Sequence, residues 1–201
     1  RLQNLAPRES LTANFLRIGS MGLGTCIQKV VDGSRWKERR GKKEVTKDGR
    51  IRGLGLACSS YLSGAGLPIY WNGLPHSGVQ LKFDRSGLVT AFCGSTDIGQ
   101  GSDSVLGWII GEVLGIDPLG IKVVTGDTDL TPVDLGSYSS RVTLMTGNAA
   151  MQAAERAREL IARGVADKLG VPAGRLVFAD SRVFDAEEPQ KGMTFQEAVV
   201  C

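Results

Sequence analysis

Two stretches of this 201-residue sequence gather the side chains and backbone features from which a binding site could be built. The first is Gly94-Ser95-Thr96-Asp97-Ile98-Gly99-Gln100-Gly101-Ser102, where Gln100 stands between two glycines ahead of an apolar-periodic segment. Glycine lets a backbone approach a ligand closely. Gln100 offers a donor and an acceptor without charge. A helix beginning at Ser102 would present unpaired N–H groups and the positive end of its dipole to an anion. The second stretch, Gly136-Ser137-Tyr138-Ser139-Ser140-Arg141-Val142-Thr143, is dense in hydroxyls, carries one arginine and runs toward another helix start. Such donors suit a large, polar, anionic ligand. Physics alone leaves a plainer reading open for each: a glycine-rich turn with Gln100 in solvent, and an ordinary polar loop.

Other chemistries find little support. His76 is the single histidine, so no nucleophile–base–orienter set can be assembled, and a plain loop residue is the favoured reading for it. Neither a phosphate-cradling G-x-x-x-x-G-K-[ST] nor a dinucleotide-binding G-x-G-x-x-G occurs between a strand and a helix. Asp127, Asp129 and Asp134 lack the spacing of a divalent-metal loop and read as turn formers. The four cysteines, Cys26, Cys58, Cys93 and Cys201, form no C-x-x-C pair, which argues against a zinc or iron–sulfur site here. Cys58 and Cys93 fall in apolar strand-like runs and read as buried thiols in a reducing cytoplasm.

The elements that must position the two stretches follow from periodicity. Residues 22–40 read as a weakly amphipathic helix with a basic end, and residues 53–62 as a strand buried on both faces. A Gly- and Pro-rich loop spans Gly64 to His76. Alternation over Val79–Asp84, a turn at Arg85-Ser86-Gly87 and a return over Leu88–Cys93 predict a hairpin. A helix from Ser102 to Leu114 puts Val105, Leu106, Ile109, Ile110 and Val113 on one face, and Gly115 stops it. A short strand covers 121–124, then a long connection runs from Thr125 to Thr146; loops of that length in compact domains tend to be functional. The longest helix is expected over Gly147–Leu169, followed by a small hairpin over 175–184 around Asp180-Ser181. Thr194 and Glu197 have the spacing of a capping box. The order is mixed α/β with antiparallel pairs.

Composition sets the frame. With 42% hydrophobic and 22% charged residues and a net charge of +3, the chain is of ordinary soluble type and long enough to bury a core. No apolar run approaches the roughly 18–20 residues of a membrane span. The chain begins at Arg1 without Met and stops at Cys201 within an apolar pattern, as a piece of a longer polypeptide would. Nine Lys or Arg between Arg35 and Arg52, against Glu38, Glu44 and Asp48, suggest a basic nucleic-acid patch. Trp36 is the single stacking aromatic there, and a solvated linker around Lys47-Asp48-Gly49 is favoured. Glycine, at 27 of 201 residues, is the one excess against a usual share of about 7%. Gly94, Gly99, Gly101, Gly136 and Gly147 are read as room for a bulky ligand.

The ordered series Asp97-Ile98-Gly99-Gln100-Gly101-Ser102, Val113-Leu114-Gly115-Ile116, Gly126-Asp127-Thr128-Asp129, Gly136-Ser137-Tyr138-Ser139-Ser140-Arg141 and Gly147-Asn148-Ala149 resembles the molybdenum-binding large subunit of the xanthine oxidase (molybdenum hydroxylase) family. The likeness runs from about Gly53 to Ala166. The Tyr138–Thr143 run, with Tyr70-Trp71-Asn72-Gly73-Leu74-Pro75-His76, looks most like the alpha subunit of 4-hydroxybenzoyl-CoA reductase within it.

The resemblance implies an α+β fold: mixed helices and antiparallel or mixed sheets of a molybdopterin-binding domain, incomplete at both ends. Residues 1–52 would form an N-terminal segment with a helix and the basic linker, and 53–201 the partial cofactor domain. It implies cofactor binding by Gly99, Gln100, Ser139, Ser140, Arg141, Val142 and Thr143. Gln100 would lie near an oxo ligand of the molybdenum without ligating the metal, which the pterin dithiolene sulfurs hold. A general base would lie outside the chain, leaving no catalytic residue to name and a piece inactive alone.

The implied activity is reductive dehydroxylation of 4-hydroxybenzoyl-CoA, a step of aromatic degradation. Electrons would arrive through 2Fe-2S clusters and FAD on companion iron–sulfur and FAD subunits, and a CoA-thioester or other small aromatic substrate would bind near Tyr70–His76. The alternative within the family is hydroxylation of an aldehyde or N-heterocycle. The alternative of another class, a basic nucleic-acid-binding module on Arg35–Arg52, is disfavoured, and no membrane association is expected.

Overall fold

The computed structural model describes residues 1–13, 15–60 and 76–201. The chain divides into two compact units, Arg1–Ser60 and Tyr61–Cys201.

In the first unit, strands β1 (Ser10–Leu11) and β2 (Arg17–Ile18) pair antiparallel ahead of helices α1 (Leu23–Gly33) and α2 (Trp36–Arg39). The single helix expected over 22–40 is thus two. Gly33 ends the first, and Arg35, at φ 52, turns the backbone left-handed before the second. Glycine is a poor helix former, so the apolar stripe centred on buried Ile27 does not carry past it. Strands β3 (Glu44–Val45) and β4 (Ile51–Arg52) pair antiparallel across Thr46–Arg50, so the basic stretch is a small hairpin rather than a linker. Thr46 closes it: its Oγ1 accepts from the Arg50 amide at 3.0 Å. Residues 53–60 form no strand. Leu54 and Leu56 are half-buried and Cys58 is exposed, against the expected doubly buried strand. A strand needs a ladder partner for its N–H and C=O groups, and none is present for 53–60 among the described residues. Tyr61 and Leu62, and the loop over 64–75, lie outside the described residues.

The second unit is built on the predicted hairpin. Strands β5 (Val79–Phe83) and β6 (Val89–Cys93) pair antiparallel, Val79 opposite Cys93 and Phe83 opposite Val89. The Asp84 carboxylate accepts from the Ser86 and Leu88 amides and closes the turn. The two-residue alternation buries Val89, Ala91 and Cys93. Helix α3 (Ser102–Leu114) carries the chain over to β7 (Lys122–Thr125), which lies parallel to β6, giving the order β5-β6-β7. Leu106, Ile110 and Leu114, four residues apart, form the stripe that α3 buries.

Helix α4 (Val142–Leu169) packs along α3 through a row of small residues that includes Ala150 and Ala154, both fully buried. It begins five residues before the expected Gly147. Val142, Thr146 and Ala150 already follow its buried face, so packing overrides the weak helix preference of the Thr-rich start. Strands β8 (Leu176–Ala179), β9 (Arg182–Asp185) and β10 (Gly192–Thr194) form an antiparallel meander, with Asp180 and Ser181 both left-handed at the hairpin tip. That is the two-residue turn whose twist matches paired strands. Helix α5 (Phe195–Val199) starts at the expected capping box: Thr194 Oγ1 accepts from the Glu197 amide, and the Glu197 carboxylate accepts from the Thr194 amide. One apolar cluster runs from Val89 and Leu106 through Val165 to Phe178, Val183 and Phe195. The architecture is α+β, and the second unit's described residues form one mixed and one antiparallel three-stranded sheet. No helix among the described residues is long and apolar enough to cross a membrane.

Candidate cofactor-binding site

The strand β6–helix α3 junction and the run before α4 meet. Ser137 Oγ donates to the Thr96 carbonyl at 2.5 Å and accepts from the Thr96 amide at 3.2 Å, joining two loops 41 residues apart. Between them lies a cavity of about 490 Å³ lined by Gln100, Ser139, Ser140, Arg141, Val142 and Thr143, with Ile98, Ser102, Val105, Ser137 and Tyr138 completing it. Of the residues expected to bind a cofactor, Gly99 alone is not on that wall.

Within the first loop, Asp97 does the local work. Its Oδ1 accepts from the Gly99 and Gly101 amides at 2.8 and 3.4 Å, and its Oδ2 from the Asp103 amide at 3.3 Å. Those N–H groups, Gly99's first, hold its carboxyl below the usual aspartate range. The start of α3 is therefore capped by a carboxylate of its own loop, and does not present the open N–H groups expected of it. Gln100 is exposed, with its amide folded back on the same loop. Oε1 accepts from the Ile98 amide at 2.6 Å, which fixes the orientation of the amide. Nε2 donates to the Thr96 carbonyl at 3.2 Å and to Ser102 Oγ at 3.0 Å, so both of its hydrogens are engaged.

The start of α4 is different. Its N-cap residue, Arg141, makes no side-chain capping bond, so the first-turn amides at Val142 and Thr143 are without a side-chain cap beside the cavity. Ahead of it, Ser139 and Ser140 are both left-handed, at φ 49 and 54, and the Arg141 amide donates to the Tyr138 carbonyl at 3.1 Å across them. Non-glycine residues held this way cost on the order of 1–3 kcal/mol each and persist where their surroundings enforce them.

What surrounds this turn is a buried ion pair. Arg141 and Asp134 side chains are both wholly buried, with Nη1 donating to Asp134 Oδ1 at 2.7 Å and to the Gly136 carbonyl at 2.8 Å. Nη2 donates to the His76 carbonyl and to Ser77 Oγ, at 2.5 and 2.7 Å. Asp134 also accepts from the Gly136 amide and, through Oδ2, from Thr146 Oγ1 at 3.1 Å. The charge of Arg141 is thus turned inward and neutralised, and the cavity is bordered by hydroxyls, amides and apolar carbons.

Asp134 is no simple turn former, as its sequence context had suggested. Asp127 is one: its Oδ1 accepts from the Asp129 and Leu130 amides. Two glycines also lie against protein. A Cβ on Gly94 would stand 2.4 Å from the Pro132 carbonyl oxygen, so that glycine serves backbone packing, while one on Gly147 would meet only the end of the Ile109 side chain, at 3.0 Å. Gly99, Gly101 and Gly136 face open space. Among the described residues no group of three or more His, Cys, Asp or Glu could hold a metal ion.

Comparison with known proteins gives this cavity its context. Residues 29–200 match the family model of the molybdopterin cofactor-binding domain. The chain is 33% identical over 195 residues to the xanthine dehydrogenase molybdenum-binding subunit of Escherichia coli O157:H7, covering 95% of this chain and 25% of that subunit. It is 40% identical over 131 residues to subunit gamma of the 6-hydroxypseudooxynicotine dehydrogenase complex of Paenarthrobacter nicotinovorans, covering 63% of this chain and 15% of that one. Among solved structures, a Cu,Mo-CO dehydrogenase superposes with a TM-score of 0.57 at 30% identity, over 62% of this chain and 16% of that one. Quinoline 2-oxidoreductase from Pseudomonas putida 86 gives the same TM-score at 27% identity, over 62% of this chain and 16% of that one. The chain spans a quarter or less of the length of these relatives. The match over 29–200 places it plainly: the chain belongs to the molybdopterin cofactor-binding domains of the xanthine oxidase family.

Proposed function

We propose that the cavity between Gln100 and Thr143 is one wall of the molybdenum-cofactor site of a larger oxidoreductase subunit. The observation that carries this is the convergence of both chemically apt loops on one cavity, with the first residues of α4, which lacks a side-chain cap from Arg141, among its lining. The residues fit such a group. A phosphorylated pterin is large, polar and anionic, and the wall offers first-turn amides, the hydroxyls of Ser139, Ser140 and Thr143, and the helix dipole of α4. Gln100 would stand nearest the metal's oxo group. Its Nε2 can donate there by releasing the Thr96 carbonyl or Ser102 Oγ. Arg141 would act by shaping the loop, since its charge is matched by Asp134. Bound molybdenum supplies the two-electron redox chemistry, and this chain supplies binding and orientation.

For the whole subunit, the supported reaction class is dehydrogenation or hydroxylation of a small substrate, because the relatives are named for xanthine, 6-hydroxypseudooxynicotine, carbon monoxide and quinoline. A second reading, reductive dehydroxylation of 4-hydroxybenzoyl-CoA, is favoured by the Tyr138-Ser139-Ser140-Arg141-Val142-Thr143 run. Either would draw on companion subunits carrying 2Fe-2S clusters and FAD. Four unpaired cysteines agree with a reducing cytoplasm.

The test uses the full-length subunit with its companions. Wild type should contain molybdenum and pterin, and either oxidise an aldehyde or N-heterocycle or reduce 4-hydroxybenzoyl-CoA; the substrate turned over decides between the readings. Gln100→Ala should keep the circular dichroism of the wild type while changing the molybdenum spectrum and the turnover rate. An unchanged spectrum and rate would remove Gln100 from the site.

A further inference from the structure

Among the described residues, two turns place consecutive non-glycine residues in the left-handed region, and they are held by different means. At Asp180-Ser181 the flanking strands β8 and β9 pair from Ala179–Arg182 to Leu176–Asp185, and the ladder enforces the turn. At Ser139-Ser140 no strand flanks the turn on either side. What flanks it is the buried network of Asp134 and Arg141. That network gathers three separate pieces of chain: His76-Ser77, the Asp134–Gly136 segment, and Thr146 in the second turn of α4.

We infer that Asp134 and Arg141 form a positioning clamp that holds Ser139 and Ser140 in their left-handed conformation at the cofactor wall and ties that wall to the chain at His76-Ser77. The inference rests on the cofactor-site reading. Neither residue donates its charge to the ligand; each acts through the turn. The planar guanidinium is needed because it meets four acceptors at once, Asp134 Oδ1, the Gly136 and His76 carbonyls and Ser77 Oγ, all at 2.5–2.8 Å. An ammonium has three donors on a flexible stem and cannot reproduce that fork. The carboxylate is needed at the other end because it receives Gly136, Arg141 and Thr146 together.

Arg141→Lys separates this role from plain charge balance, since it keeps the positive charge beside Asp134. In the full-length subunit assembled with its companions, Arg141→Lys should still fold, melting below wild type because at least one buried acceptor loses its donor. Its molybdenum and pterin content per subunit should fall several-fold, and the electron paramagnetic resonance line shape of the remaining metal should broaden. Wild-type content and line shape in Arg141→Lys would overturn the clamp.

Should Arg141→Lys fail to fold, the double variant Asp134→Asn/Arg141→Gln removes both charges and leaves no unpaired ion. Loss of cofactor from that variant, with wild-type hydrogen exchange in β5 and β6, supports the clamp, and full cofactor content refutes it. A wild-type subunit holding neither molybdenum nor pterin would instead overturn the cofactor reading itself.

Discussion

Gly115 and Gly170 end α3 and α4 in nearly the same conformation, at φ 65 and 64, and their surroundings differ. Beyond Gly170 there is nothing within 4 Å of where a Cβ would stand. At Gly115 a Cβ would lie 2.3 Å from the carbonyl carbon and oxygen of Phe178 and 2.6 Å from the Ala179 amide nitrogen, all backbone atoms of β8. Alanine at either position carries the left-handed penalty of roughly 1–2 kcal/mol. Gly115→Ala must also displace β8, an overpacking cost of roughly 1–3 kcal/mol. The difference between the variants is therefore about 1–3 kcal/mol, which is roughly 5- to 150-fold in a local opening equilibrium.

Hydrogen exchange read by mass spectrometry reports it locally. The Ile116 amide, bonded to Gly111, and the Ser181 amide, bonded to the Gly115 carbonyl, should exchange far faster in Gly115→Ala. In Gly170→Ala the corresponding reporter, the Val171 amide bonded to Ala166, should change modestly. Equal acceleration in the two variants would refute the claim that close approach to β8, rather than backbone conformation, dictates glycine at 115.

Gly147→Ala, by contrast, should be nearly neutral. The helix gains roughly 0.5–1 kcal/mol of propensity while only the mobile end of Ile109 must yield, so the thermal midpoint should move by under about 4 °C and cofactor content should hold. Asp103→Asn should stabilise the fold at neutral pH. Burial, and then the charge of Asp97, push the Asp103 carboxyl above the usual aspartate range, so its ionisation opposes folding once pH rises through that higher value. The gain in melting temperature should fade as pH falls below the ordinary aspartate range, which a pH series of melts would read. Burial also pushes the Cys93 thiol up to about 11, so iodoacetamide at pH 8 should label exposed Cys26 and Cys58 and spare Cys93, as peptide mapping would show.

The features legible in the sequence are those fixed within a few residues. The Val79–Cys93 hairpin announces itself by alternation, α3 by its stripe and its stop at Gly115, and α5 by the Thr194–Glu197 box. The convergence of Gln100 with Ser139–Thr143 came from resemblance, since nothing local says that loops some forty residues apart share a wall. Asp134 reads as a turn former in the sequence because its partners are scattered through space: Arg141 is seven residues on, and the His76-Ser77 segment that shares its guanidinium is more than sixty away from Arg141. Its short Asp-x-Gly pattern signalled only a turn. The true start of α4 was hidden because Thr146, polar by type, occupies a buried position of the apolar stripe. Gly94 reads as ligand room, yet its reason is the close approach of Pro132, and Gly147 meets the side chain of Ile109 rather than the cavity.

The neutrality of the Arg141–Asp134 pair bears on how an anion would be retained. Among the described residues, Arg141 is the only charged one bordering the cavity, and its charge is already matched. Attraction would then come from fixed dipoles at short range, which mobile ions screen far less than they screen exposed charges about 10 Å apart at 0.1 M ionic strength. A cofactor held this way should survive high-salt washes that strip ligands from lysine- or arginine-lined clefts, and ionic strength should barely alter how fast it leaves.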